Sequence, residues 1–173
     1  KKSIFTYLFL SLFLLPFTGQ GTQVINAEVV LSDSYFSDPE VIDLDGRWRF
    51  YWQEFVSPEK QPIANELPVF RDFEKNWSDI PSLRNSFHAK GFASYELNIN
   101  SSQATDKLAL RVPEFYSAYA LYLNGDLIAK NGEVGQDIVS AEPYWLPKVA
   151  NISLKKGSNR LVIHISNFEH HKG

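Results

Sequence analysis

Among its 173 residues the chain has no cysteine and no methionine. The missing cysteine excludes disulfide staples, thiolate zinc centres, thiol nucleophiles and a lipoprotein-type anchor. Stability has to come from a packed core instead. Catalytic signatures are absent too: there is no glycine-rich phosphate loop, no GxSxG elbow and no HExxH pair. After residue 27 no apolar run approaches the roughly 20 residues of a membrane-spanning helix. Basic charge is in deficit, with 17 Lys and Arg against 20 Asp and Glu, which removes the electrostatic footprint of a nucleic-acid binder.

The opening residues differ from the rest. Lys1 and Lys2 precede an apolar run from Ile4 to Phe17, broken only by Thr6 and Ser11, and the polar TGQGTQ follows. This is the pattern of a secretory signal peptide, expected over residues 1–27 with cleavage after Ala27. Losing both lysines takes the net charge from −3 to −5. The expected location is therefore outside the cytoplasm: the periplasm, or the extracellular face of a bacterial inner membrane. Residues 28–40 read as a lead-in arm or edge strand and residues 41–173 as the folded domain.

Beyond the leader the prevailing period is two. Leu108, Leu110 and Val112 share one face of a strand, and so do Tyr119, Leu121 and Leu123 on the next; Asn124-Gly125 then supplies the two residues of a tight hairpin turn, with DLIAK as its returning strand. Trp48, Phe50 and Trp52 line one face of another strand, after a short strand from Val41 and a turn at Asp45-Gly46. Tyr95, Leu97 and Ile99 point inward on a fourth, with Ser94, Glu96 and Asn98 outward. Roughly nine short strands with frequent turns predict an all-β chain, an antiparallel β-sandwich or jelly roll. Its core is expected to hold Trp48, Tyr95, Leu97, Leu121 and Ile163, with Phe50 or Trp52.

Functional residues are harder to find. The DLDG of Asp43–Gly46 lacks the glycine spacing and the later glutamate of a calcium loop, so it reads as a turn. Adjacent His170 and His171 point to opposite sides of an extended chain and cannot share a metal. No metal, no cofactor and no catalytic residue is expected. For a polar ligand the candidates are Tyr116 and Trp145 for stacking on a sugar ring, with Arg111, Asn167 and His170 as hydrogen-bond partners. They come from different loops and strands and would converge only in a folded site.

Taken in order, LDGRWRFYW, WSDIP, GFASYELNI, LALRVPEFYSAYALYLNGDLIAKNGEVG and RLVIHISNFEHHKG resemble the extracellular sensor domain of bacterial seven-transmembrane receptors with diverse intracellular signalling modules. More distantly they are similar to the sugar-binding jelly-roll domain of family 2 glycoside hydrolases. The resemblance covers about residues 40–173. It implies a galactose-binding-like sandwich, non-catalytic in itself, that senses a small molecule of carbohydrate type. It also implies attachment to the membrane through downstream helices, and the family continues beyond the position of Gly173 with a final strand. A homodimer is the accompanying expectation, and nucleic acid is not a partner. Two alternatives stand beside this reading: an accessory sugar-binding domain of a β-glycosidase, and a purely structural protein-interaction module.

Overall fold

The computed structural model describes residues 23–38, 40–61, 69–73, 76–77, 90–112 and 117–169. Among them are nine strands and one short helix: β1 (Glu28–Leu31), α1 (Asp33–Ser37), β2 (Arg47–Trp52), β3 (Val69–Asp72), β4 (Gly91–Ser101), β5 (Thr105–Val112), β6 (Ala118–Leu123), β7 (Asp126–Asn131), β8 (Lys148–Leu154) and β9 (Gly157–Asn167).

The two longest strands, β4 and β9, pair antiparallel from Gly91 opposite Asn167 to Ser101 opposite Gly157. Around them the large sheet runs in the order β3-β2-β4-β9-β6-β7. β1 joins it beside the far half of β4, parallel to it, with Val29 opposite Ile99. A second sheet of two strands, β5 and β8, covers one face. Strict alternation decides what that face buries. Tyr95, Leu97 and Ile99 of β4 sit beside Leu161, Ile163 and Ile165 of β9, and the whole group is buried in one core with Ala150, Ile152 and Leu154 of β8. The expected core residues are all in it: Trp48, Phe50, Tyr95, Leu97, Leu121 and Ile163 are buried, and Trp52 is half-buried against them.

The hairpin at Asn124-Gly125 is as the sequence requires. Both turn residues have positive φ, +53° and +98°, the condition for a turn whose twist matches the strands it joins. Asn124 also does something the spacing does not reveal. Its carbonyl oxygen accepts from the Arg160 N–H at 3.0 Å, and its amide nitrogen donates to Asn159 Oδ1 at 3.0 Å. Asn159, fully buried, in turn donates to the Lys155 and Gly157 carbonyls and accepts from the Lys155 N–H. One asparagine pair thus locks two turns to the start of β9.

Two local expectations are corrected. The lead-in arm or edge strand read over residues 28–40 is a strand only to Leu31, because Ser32, Asp33 and Ser34 break the apolar alternation and the chain turns into α1. The strand expected from Val41 does not form: residues 40–45 are irregular, and the edge of β2 that a hairpin would need is taken by β3. Gly46, at φ +127°, instead bridges Val24 in parallel. The expected antiparallel sandwich is observed, with β1 added parallel to β4.

Candidate functional site

Among the described residues the second sheet is two strands wide, against the longer path of strands in the large sheet. A cavity of about 570 Å³ opens between the sheets, walled on its open side by residues 40–45. Its floor is made by Leu31, Ile99, Leu121, Leu161 and Ile163 of the large sheet. Leu108, Leu110 and Ile152 form its roof, and Trp48 and Phe73 line it too, their rings stacked at 4.7 Å. The Trp48 indole N–H is already committed to the Leu44 carbonyl at 2.8 Å. The charged residues of the lining are exposed: Glu40, Asp43 and Asp45 on the segment before β2, and Lys107 and Arg111 on β5, where they alternate with the inward Leu108, Leu110 and Val112. The volume falls in the range of small-molecule sites.

The opposite face of the large sheet is polar and covered. Residues 54–60 cross it as a strap. Val56 donates its N–H to Ser94 Oγ at 3.1 Å, Ser94 donates to the Glu54 carbonyl at 2.7 Å, and His164 Nε2 meets the Val56 carbonyl at 2.9 Å. Phe55 stacks on His164 with ring centroids 4.7 Å apart. Under the strap Glu96, 1% exposed, binds Arg49 at 2.7 Å through one oxygen and Arg160 at 2.9 Å through the other. Arg160 uses its other terminal nitrogen to hold the Ser57 and Pro58 carbonyls, so charge and strap are fixed together. The sequence places Glu96 on the face away from the core, which is correct; the strap, however, removes it from solvent, as it does His164 on β9.

Protonation follows from this burial. Burial holds the His164 imidazole below its ordinary value, against the pull of the Val56 hydrogen bond, and the Arg160 charge pushes the same way. The Tyr51 hydroxyl is pushed up to about 12, first by burial and then by the Glu96 charge. Tyr95 also reaches about 12 through burial, although its hydroxyl accepts a 2.9 Å bond from the Trp77 indole. Both phenols stay protonated at neutral pH.

Of the five residues chosen from sequence, Arg111 is among the lining residues of the cavity, on β5, exposed between the inward Leu110 and Val112. Trp145 is exposed in the β7–β8 connection, stacked on Tyr144 at 6.0 Å, and is not part of the cavity lining. Asn167 is buried at the end of β9, paired with Gly91, and it too is outside the lining. Tyr116 and His170 lie outside the described residues. What sequence reasoning missed is the acidic segment of the lining: Asp43 and Asp45 were read as a plain turn, and Glu40 gave no signal. Clustered acids in the segment before a strand were the available cue.

No protein-family model matches the chain, and no curated protein does either. Solved structures do. The chain is similar to the β-glucuronidase of an uncultured Clostridium (TM-score 0.55, 20% identity, 76% of this chain and 23% of that one). It is also similar to the β-glucuronidase of Faecalibacterium prausnitzii (0.53, 18%, 72% and 20%) and to that of Ruminococcus gnavus (0.50, 19%, 72% and 20%). At such identities the likeness is one of fold, and the chain spans about a fifth of the length of these enzymes.

Proposed function

We propose that this domain is the ligand-sensing, non-catalytic module of a bacterial membrane receptor. It faces the periplasm or the cell exterior and holds a small molecule of carbohydrate character. The observation that supports this is the 570 Å³ cavity, with apolar walls and exposed charged residues in its lining. Trp48 lines that cavity, so its fluorescence reports occupancy. The test is a titration of the protein with a panel of glycans and small sugar acids. Saturable quenching with one ligand per chain supports the reading, and no response across the panel counts against it. Non-catalysis is tested separately: turnover of aryl glycosides abolished by a single carboxylate substitution would overturn it.

On this reading the leader is cut upstream of Val24 rather than after Ala27. Val24 and Ala27 are buried, and the Ala27 N–H donates to the Arg47 carbonyl. N-terminal sequencing of exported protein decides the position.

The likeness in fold to three β-glucuronidases favours a second reading, an accessory domain of a β-glycosidase. The adjoining coding sequence separates the two. Seven apolar helices would mark the receptor, and a barrel with paired glutamates the glycosidase.

A further inference from the structure

We infer that the ligand held between the sheets is an amphiphilic glycoside, with its apolar aglycone inside the cavity and its sugar at the exposed carboxylates. The inference rests on the binding reading above and narrows it by the chemistry of the walls. Inside, the floor and roof are leucine and isoleucine side chains, and the Trp48 N–H is spent on Leu44. The polar side chains of the lining are Tyr35, half-buried, and the exposed Glu40, Asp43, Asp45, Lys107 and Arg111. A free sugar pushed inward would therefore lose water from hydroxyls that find no partner. Each such loss weakens binding roughly five- to a hundredfold. An alkyl or aryl group loses nothing there and gains by leaving water.

The mouth has the opposite character. Three carboxylates, Glu40, Asp43 and Asp45, are exposed on the segment of the lining before β2. Carboxylates accept hydrogen bonds from sugar hydroxyls. The two halves of the site thus match the two halves of one molecule. Neither half alone accounts for both the depth and the rim.

An alkyl-chain ladder tests this directly. The 173-residue protein is titrated with glucose and with methyl, butyl, hexyl and octyl β-D-glucosides below their micelle concentrations, following Trp fluorescence and calorimetric stoichiometry. Affinity is expected to rise roughly two- to fourfold per added methylene until the cavity is full, at one ligand per chain. Leu110→Trp, which places an indole in the cavity, should then weaken octyl glucoside at least tenfold. Its melting temperature and circular dichroism show whether it folds, and Leu108→Phe is the substitute if it does not. Affinity independent of alkyl length, unsaturable uptake of octyl glucoside, or a length dependence untouched in a folded filled variant would each overturn the inference. If glucose binds as well as octyl glucoside, the inference fails while the carbohydrate-binding reading stands. If no member of the series binds, both fail.

Discussion

On β4, Tyr95, Leu97 and Ile99 face the small sheet, while Ser94, Glu96 and Asn98 alternate onto the other side, where Ser94 and Glu96 are buried beneath residues 54–60. The inner side is apolar and incompletely filled. The outer side is polar, and its buried ionic and hydrogen-bonding groups are largely paired. Cores are normally filled and sheet exteriors normally wet. The inversion points to a division of labour. Directional bonds hold the strap at a fixed place on the outside, and the inside leaves a cavity of about 570 Å³.

The largest effect is expected where a buried charge loses its partner. Glu96→Ala leaves Arg160 with no carboxylate in a buried site, and breaking such a pair costs about 3–5 kcal/mol. Glu96→Gln keeps an acceptor and should cost visibly less. Denaturant unfolding of the two variants measures the difference, and wild-type stability in both would show that the ion pairs do not hold the outer face.

On the inner side the comparison is between filled and unfilled packing. Leu97, fully buried and outside the cavity lining, should lose about 3–5 kcal/mol on truncation to alanine. Leu110, half-buried at the cavity roof, should lose about 1 kcal/mol, because part of its surface already faces open space. Similar losses at both positions would mean that the cavity closes in solution.

Gly125→Val tests the hairpin that ties both sides to β9. At φ +98° a β-branched residue is strained by about 1–3 kcal/mol, and its Cβ would also stand 3.2 Å from Glu59 Cγ. An unchanged melting temperature would exclude the turn geometry described.

The smallest effect concerns pH and belongs to the outer side alone. His164 is less basic folded than unfolded, so between its folded value and the ordinary 6.5 the unfolded chain binds a proton that the folded one does not. Its contribution is complete above about pH 6.5 and declines as pH falls, by at most about 1.4 kcal/mol per pH unit. The decline ends once pH passes below the folded value. Melting curves from pH 7.5 to 5 should show the slope, and His164→Phe should flatten it without changing the affinity of any ligand in the cavity.

Strands were legible wherever alternation ran long: β4, β5, β6 and β9 can be read directly from Tyr95–Ile99, Leu108–Val112, Tyr119–Leu123 and Leu161–Ile165. Their facing was legible too, since period two leaves a choice of only two sides. The candidate site was not. Asp43 and Asp45 looked like turn residues because their meaning depends on β5, more than sixty positions away, and Arg111 could be placed on a strand but not in a cavity lining. The burial of Glu96 and His164 was equally hidden, since the strap at residues 54–60 has no periodicity of its own.

By itself, then, the amino-acid order determined an all-β chain, the identity of its core residues and the Asn124-Gly125 turn. Each of these follows from local geometry, from side-chain alternation and from which residues accept positive φ. Only the tertiary structure decided that β1 pairs parallel to β4, that a polar strap covers part of the outer face, and that a cavity lies between the sheets. Those features depend on contacts between segments far apart in the chain, where the loop-closure cost is met only once the whole sandwich has formed.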